Sequence, residues 1–237
     1  MAEAIYPGID NPNTPLPTAH YLAGRALLAA RNDTVDTLNQ MLLDIMPGEE
    51  FIFLSADKIL DDLDAAETYA AEYLNSINLP TLPLHKLKLK VAAPVILLRN
   101  LSPPRGLCNG TRLRVNRVQQ RIVECEILSG KHAGTHVWIP RIPLAPSSDA
   151  NLPFDFNRTQ FPIRLAFAIT INKSQGQSLT HVGLSLTEPV FSHGQLYVAV
   201  SRVTNSANLR MIVPHTVEAR QGGKLKNVVY EDVFQDV

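Results

Sequence analysis

The chain has 237 residues, of which 45% are hydrophobic, and its formal net charge is zero because 22 Lys and Arg side chains balance 22 Asp and Glu. This length and apolar content suffice for a buried core in one large or two small domains, which excludes wholesale disorder. The chain has no apolar run of about 18 residues, and its beginning carries neither a basic nor an apolar signal region. We therefore expect an intracellular protein without a membrane span.

The first segment, residues 1–83, is typical of an α/β domain. Its predicted elements are a strand at 25–30, a helix through 35–45, a strand at 51–54 and a helical piece over 64–75. Asn32 and Asp33 can cap the first helix, and Pro47-Gly48 ends its apolar pattern.

The middle segment, residues 84–150, changes to short strands separated by turn residues. Strands are predicted at 95–98, 113–118, 122–128 and 136–139, a pattern typical of a small β-barrel. Residues 84–145 contain eleven Lys or Arg against two Asp or Glu, whereas residues 1–83 contain three against thirteen. This segregation favours a polyanion partner for the middle segment, and a solvated surface that balances the acidic part is the alternative.

The last segment, residues 151–237, returns to α/β sequence, so we expect the barrel to be inserted in an α/β domain. Strands are predicted at 165–171, 182–186 and 209–213. Ser192 and Gln195 have the spacing of a capping box, in which the Ser192 hydroxyl accepts the Gln195 N–H and the amide side chain reaches back. Arg202 lies near the end of the following helix, where a cation usually is solvated or complements the helix dipole.

A phosphate-binding loop of the pattern G-x-x-x-x-G-K-[ST] does not occur in the 237 residues. The nearest match, Gly222–Lys224, lacks the upstream glycine and is predicted to be a solvated turn. Asp61, Asp62 and Asp64 follow only two apolar residues, so we predict a solvated loop rather than a Mg²⁺ site. An ATP-hydrolysing motor needs such a phosphate loop, and the sequence therefore predicts half of a motor.

The cysteines and two of the histidines are predicted to be structural. Cys108 and Cys125 have no C-x-x-C spacing, and His132 and His136 flank Gly134 in a turn-like stretch. This spacing disfavours both zinc and a disulfide framework.

Five stretches carry a family resemblance: LHKLKLKVAAPVILLRNL at 84–101, GLCNGTRL at 106–113, WIPRIPLAP at 138–146, QFPIRLAFAITINKSQGQSL at 160–179 and FSHGQLYVAVSR at 191–202. In order and spacing they resemble the C-terminal half of Pif-type (petite integration frequency) DNA helicases, particularly those of Helitron transposons. The first segment fits through IYPGID at 5–10, LLAARNDTVDTLNQ at 27–40 and FLSADKI at 53–59. The resemblance covers nearly the whole chain.

The resemblance implies an α/β fold, the second RecA-like (P-loop NTPase-type) domain of a helicase, interrupted by a small Src-homology-type β-barrel called domain 2B. Residues 1–83 and 151–237 would form the RecA-like domain 2A, and residues 84–150 the barrel. ATP and Mg²⁺ would be held mainly by an N-terminal RecA-like motor domain that these 237 residues lack. The resemblance further implies single-stranded DNA as a partner and a nuclear location.

The resemblance also implies roles in nucleotide binding. Arg202 matches the arginine finger, a fixed cation that offsets charge on the transferring γ-phosphoryl group. Gln175 and Gly176 match the loop that senses the γ-phosphate, where glycine allows close approach of the backbone. Arg31, in the fourth motif, would be an additional phosphate contact. Gln195 is a further candidate, although the capping box already explains it.

Two groups of residues are expected to contact DNA. They are Asn172, Lys173 and Ser174, which the resemblance places at the single strand, and Arg112, Arg114 and Arg117 in the basic barrel. Alternation along the strand would put Arg112 and Arg114 on its outer face, opposite Leu113 and Val115.

Ala92 stands where the resemblance predicts glycine, so a tight turn that opens the barrel is expected to be altered. Two hypotheses remain open. The chain is either the C-terminal portion of an ATP-dependent DNA helicase, functional with its missing half, or a non-enzymatic nucleic-acid-binding remnant of a Helitron-type transposon helicase. The motifs show no other decay, which favours the first.

Overall fold

The computed structural model describes residues 1–60, 70–147, 150–213 and 227–230. In chain order the elements are α1 (Ala2–Ile5), α2 (Ala19–Ala23), β1 (Arg25–Ala29), α3 (Asn32–Ile45), β2 (Phe51–Leu54), β3 (Ala56–Ile59), α4 (Ala71–Ser76), β4 (Lys86–Leu89), β5 (Pro94–Leu97), β6 (Arg112–Val118), β7 (Ile122–Ile127), β8 (His136–Pro140), β9 (Ile142–Leu144), β10 (Phe156–Gln160), β11 (Ile163–Leu165), β12 (Ala168–Thr170), β13 (His181–Ser185), α5 (Gln195–Val200) and β14 (Leu209–Ile212). Asp61, Asp62, Asp64, the Gly222–Lys224 turn and the first part of the predicted helical piece at 64–75 lie outside the described residues.

The chain divides into two compact units. The first comprises residues 1–16, 20–47 and 167–237, and the second comprises residues 17–19 and 48–166. The observed divisions at 47/48 and 166/167 differ from the predicted ones at 83/84 and 150/151. They differ because β2 pairs with β4 and β3 pairs with β10, which draws sequence on both sides of the predicted barrel into the second unit.

The first unit is built around a parallel sheet with the strand order β12-β1-β13-β14. All residues of Ala26–Ala29 in β1 are buried, as is typical of an interior parallel strand with helices packed on the sheet. Helix α3 packs against β1 and β12, and α1 packs against β1 and β13. A Cβ at Gly183 would lie 2.5 Å from Leu27 Cδ2 and 2.8 Å from Ile5 Cγ1, so this close packing needs glycine. The arrangement confirms the predicted α/β class.

Helix α3 begins differently from the expectation. Arg31 precedes the helix in an extended conformation, and no side chain caps the helix. Asp33, one of the two predicted caps, instead accepts a hydrogen bond from the N–H of Thr34 at 2.8 Å. The helix forms where it was predicted, but its buried side consists of Val35, Asn39, Leu42 and Leu43, whereas Met41 and Ile45 of the apolar pattern are exposed.

The predicted strand over 165–171 is split between the two units. Leu165 ends β11, which pairs with β5 in the second unit, whereas Ala168–Thr170 form β12 beside β1 in the first. The chain passes from one unit to the other at Ala166 and Phe167, which are both buried. The apolar run is continuous in sequence because each half is buried in its own core.

The second unit is rich in β-structure, and its largest sheet is antiparallel with the order β11-β5-β6-β7-β8. Strands β7 and β8 alternate between buried and accessible residues, as expected when one face of a sheet covers a core. The ribbon of β2 and β4 adds Phe53, Leu87 and Leu89 to the same core, which gives the predicted barrel-like unit. A further sheet, β3-β10-β9, lies over a second cluster that includes Phe154 and Phe156.

Ala92 lies in the turn before β5 and has a left-handed backbone conformation with φ of +68°. It is fully buried, and its N–H donates to Val115 O at 2.7 Å. The turn is therefore retained, with an alanine in a conformation that costs an L-residue roughly 1–2 kcal/mol.

Candidate nucleotide-contacting and DNA-contacting loops

The residues Ile171–Leu179, here called the 171–179 loop, leave the carboxyl end of β12. The N–H of Ile171 donates to Ala29 O at 3.0 Å, which holds the start of the loop at the end of β1. Gly176 has φ of +80°, and open space surrounds the position of a Cβ. Parallel sheets bind ligands at the carboxyl ends of their strands, so the loop begins at a favourable place for a functional site.

Side-chain exposure separates the three loop residues expected at DNA. Asn172 is exposed and Lys173 is half-buried. Ser174 is fully buried, and its hydroxyl donates to Ile171 O at 2.6 Å. Contrary to the prediction, Ser174 closes the turn instead of facing a DNA strand. Gln175, a predicted phosphate sensor, is exposed.

Arg202 is half-buried after α5 and held by three hydrogen bonds. Its Nε donates to Val198 O at 2.9 Å, Nη2 to Ser201 Oγ at 2.9 Å and Nη1 to Gln177 O at 3.2 Å. The N–H of Leu179 donates to Arg202 O at 2.9 Å. These bonds join Arg202 to the 171–179 loop. They use only part of the hydrogen-bonding capacity of Arg202, because a guanidinium has five N–H donors.

Arg31 follows β1 at the carboxyl edge of the parallel sheet. Its Nε lies 2.6 Å from Glu188 Oε2, and the two side chains are 59% and 43% exposed. Ion pairs as exposed as this one add little stability. Glu188 therefore holds the Arg31 guanidinium only weakly.

Gln195 is a structural residue at the start of α5. It is 3% exposed, its N–H donates to Ser192 O at 3.2 Å, and its Oε1 accepts the Phe191 N–H at 3.0 Å. Gly194, with φ of +71°, precedes the helix without a side-chain cap. The capping box is thus altered, because the backbone oxygen of Ser192 replaces its hydroxyl. Burial keeps Gln195 from direct contact with a nucleotide.

Arg112 and Arg114 each donate a hydrogen bond to a backbone carbonyl, Arg112 from a buried position and Arg114 from a half-buried one. Arg112 is 2% exposed, and its Nη2 donates to Ala166 O at 3.2 Å. Arg114 donates from Nε to Pro17 O at 2.7 Å, and burial lowers the pKa of its guanidinium while Glu126 opposes this shift. The prediction of a solvent-facing Arg112 is wrong, because the structure covers both faces of β6 at its first residues.

Arg117 is the accessible member of the three barrel arginines. Its side chain is 67% exposed, and Nε lies 3.8 Å from Glu124 Oε2. Other bases of the middle segment bind backbone carbonyls: Arg99 Nη2 donates to Ala145 O at 2.7 Å. Part of the excess positive charge in the sequence therefore also supports loops.

Cys125 lies in the core of the barrel, where burial, with a smaller effect of Glu124, raises the pKa of its thiol to about 12. Both cysteines are free, and the ring of His132 lies against Gly106. Within the described ranges, no group of three or more His, Cys, Asp or Glu side chains is suited to hold a metal ion. In the same residues no helix has the length and apolar character that crossing a membrane requires.

Asn39 supports the 171–179 loop, and sequence reasoning missed it. Its Nδ2 donates to Ala168 O at 2.9 Å, and its Oδ1 accepts the Ala168 N–H at 2.8 Å. Strand β12 is at the edge of the parallel sheet, so the amide of Asn39 takes the place of a neighbouring strand. The available signal was a polar residue within the apolar face that Val35 and Leu42 define.

Comparisons with known proteins agree with this geometry. Residues 72–118 match the family model described as DNA helicase Pif1, 2B domain. The chain is 31% identical over 201 residues to the ATP-dependent DNA helicase PIF1 of Xenopus laevis, and the alignment covers 82% of this chain and 29% of that protein. The crystal structure of Bacteroides Pif1 bound to ssDNA matches with a TM-score of 0.62 and 20% identity, over 88% of this chain and 43% of that one. Bacteroides Pif1 in complex with ADP-AlF3 and ssDNA matches with a TM-score of 0.61 and 19% identity, over 98% and 47%.

Over 82% of its length the chain is similar to one part of the Pif1 helicases. It spans less than a third of the Xenopus relative and less than half of either Bacteroides chain. The structural likeness shows the fold of the Pif1 family, a RecA-like α/β domain with a 2B domain, as the sequence predicted. The match over 72–118 runs from α4 to β6 and lies within the second unit.

Proposed function

We propose that this chain is the C-terminal part of an ATP-dependent DNA helicase that couples ATP hydrolysis to movement along single-stranded DNA and to duplex unwinding. Its first unit would be the second RecA-like domain, and an N-terminal RecA-like domain would hold most of the ATP and Mg²⁺. The observation that carries the proposal is the hydrogen bond from Arg202 to Gln177 O, which joins the predicted arginine finger to the predicted DNA loop. The identity to proteins named ATP-dependent DNA helicase supports the proposal.

The geometry suggests how the two events are coupled. Arg202 would stabilise the charge that develops on the transferring phosphoryl group. Turning its guanidinium toward a phosphate changes its bond to Gln177, and this bond supports the loop that carries Asn172 and Lys173. The nucleotide state would thereby alter the affinity of the 171–179 loop for DNA. The contribution of this chain would be the Arg202 cation and the backbone of the 171–179 loop.

The test joins the chain to an N-terminal RecA-like domain that carries a phosphate loop. The chain alone should hydrolyse no ATP, and the joined protein should show DNA-stimulated hydrolysis. In the joined protein Arg202→Ala should lower turnover on the order of 10³-fold or more, with DNA affinity nearly unchanged. Arg210→Ala is the control, because Arg210 is exposed and donates to the nearby Ala207 O. Normal turnover in Arg202→Ala, or DNA-stimulated turnover by the chain alone, would contradict the proposal.

The second candidate is a non-enzymatic nucleic-acid-binding remnant of a Helitron-type transposon helicase. Its support is the excess of Lys and Arg in residues 84–145, which would attract nucleic acid without ATP hydrolysis. Full-length transcript sequence separates the candidates, because an upstream phosphate loop in frame supports the helicase and a stop codon before Met1 supports the remnant. Either protein would act in the nucleus, which imaging of a fluorescent fusion tests.

A further inference from the structure

One end of the barrel in the second unit is built from two loops. Residues 98–111 join β5 to β6, and residues 128–135 join β7 to β8. Because β5 to β8 are successive antiparallel neighbours, these alternate connections lie at the same end of the sheet. The loops also touch, since a Cβ at Gly106 would lie 2.8 Å from His132 Cδ2. This surface, residues 98–111 and 128–135, is called the loop end below.

The loop end carries positive charge and no carboxylate. Arg99, Arg105 and Lys131 lie in its two loops, which contain neither Asp nor Glu. Arg105 and Lys131 are exposed, whereas Arg99 is bound to Ala145 O. Two exposed cations on touching loops, without an adjacent anion in either loop, create a local field that attracts polyanions.

Internal hydrogen bonds fix the shape of both loops. In the first, Thr111 Oγ1 donates to Gly106 O at 2.8 Å. In the second, the Ala133 N–H donates to Gly130 O at 3.1 Å. A loop that is ordered before binding loses less conformational entropy on binding. The loop end therefore presents its cations on a preformed surface.

We propose that the loop end binds the phosphate backbone of nucleic acid through Arg105 and Lys131. A guanidinium can donate two hydrogen bonds to one phosphate, while an ammonium acts as a point charge on the next. This inference rests on the proposed function for the encounter with DNA. It moves the contact of the barrel to these loops from Arg112, which is buried, and from Arg114, which is half-buried and donates to Pro17 O. An acidic protein segment is the competing ligand.

The test compares two double variants of the whole chain. Arg105→Gln/Lys131→Gln removes the exposed cations of the loop end. Lys86→Gln/Arg121→Gln removes two exposed cations elsewhere in the same unit, and Arg121 lies in the β6–β7 turn at the opposite end of the sheet. Binding of a fluorescent oligothymidylate and of a blunt duplex is measured by anisotropy at several NaCl concentrations.

The loop-end variant should lower the slope of log K against log salt by about 1.4 with the single strand, because each phosphate contact contributes about 0.7. With the duplex each contact contributes about 0.9. The slope changes measured with the two probes therefore show whether the loop end binds single-stranded or duplex DNA. The control variant should change the slope much less. Circular dichroism is used to check that both variants are folded.

Three results would overturn the inference. Equal slope changes in the two variants would mean diffuse attraction instead of a site. Unchanged DNA binding by the loop-end variant would show that the loop end does not contact DNA. The DNA contact of the proposed function would then belong to the 171–179 loop. Competition by polyglutamate as strong as competition by DNA, at equal charge concentration, would assign the surface to an acidic protein. If the unaltered chain binds no DNA, the DNA-binding part of the proposed function fails as well.

Discussion

Arg158 shows how the second unit holds a charge away from water. Its side chain is 0% exposed, and its Nη2 lies 2.7 Å from Asp57 Oδ2. The guanidinium also donates to the carbonyls of Leu74, Ile77 and Pro83 at 2.7, 2.8 and 3.2 Å. A buried ion pair recovers its desolvation cost only when other hydrogen bonds satisfy the remaining donors, and these carbonyls do so. Arg158 therefore ties the chain around α4 to β3 and β10.

The left-handed conformation of Ala92 leads to a prediction about stability. Glycine there would remove roughly 1–2 kcal/mol of backbone strain, against about 0.8 kcal/mol for the lost methyl group and 0.5–1 kcal/mol of chain entropy. Ala92→Gly should therefore change the free energy of unfolding by less than about 1 kcal/mol. Ala93→Gly, at a buried neighbour without positive φ, gains no relief and should cost about 1–2 kcal/mol more than Ala92→Gly.

Urea unfolding of both variants measures the difference. Equal destabilisation at the two positions would show that the turn does not strain Ala92.

Among the elements, β12 depends on α3 for part of its hydrogen bonding. We predict that Asn39→Leu leaves the N–H and carbonyl of Ala168 unpaired and destabilises the first unit by about 2–6 kcal/mol, at about 1–3 kcal/mol for each buried group. Amide exchange should accelerate at Ala168 and through the 171–179 loop. Val123, in the barrel core, should keep its protection.

Gln40→Leu is the control for Asn39→Leu, because Gln40 lies on the same helix and makes an exposed hydrogen bond to Asp44. It should change stability by less than about 0.5 kcal/mol, as most surface substitutions do. Exchange in the 171–179 loop that stays slow in Asn39→Leu would show that β1 alone holds β12.

Local sequence patterns predicted the positions of strands better than they predicted which core each strand enters. The strand at 51–54 was predicted correctly, yet it belongs to the barrel core, since an apolar run does not specify which core it enters. The run over 165–171 had the same ambiguity and was predicted as one strand. Alternation along a strand likewise could not show that Arg112 donates a hydrogen bond to Ala166 O, which is distant in sequence.

The candidate site was predictable where a motif fixes the backbone. Gly176 has the positive φ that makes glycine useful in a loop, and Asn172 is exposed after a strand as expected. The burial of Ser174 could not be read from sequence, because a hydroxyl can serve either a ligand or a turn. The clamp of Asn39 on β12 required knowledge of which strand lies at the edge of the sheet.

At the scale of the whole molecule, the second unit has its cores within one continuous stretch of chain. Its main hydrophobic cluster runs from Phe53 to Ile163, and a second cluster runs from Ile59 to Phe156. The ion pair between Asp57 and Arg158 also lies within this stretch. An inserted domain of this kind has the contacts that independent folding requires.

We therefore predict that residues 48–166, expressed alone, fold cooperatively, with an unfolding free energy on the order of 5 kcal/mol. They lose the bond of Arg114 to Pro17 O, which lowers stability without preventing folding. The shorter piece 84–150 should not fold, because it lacks Phe53 and Phe161 from the barrel core and Arg158 from the buried ion pair. Urea unfolding followed by circular dichroism, with proton NMR dispersion, distinguishes the two pieces. Cooperative unfolding of 84–150 would show that the core of β5 to β8 needs neither β2 nor β11, and would restore the boundaries that the sequence first indicated.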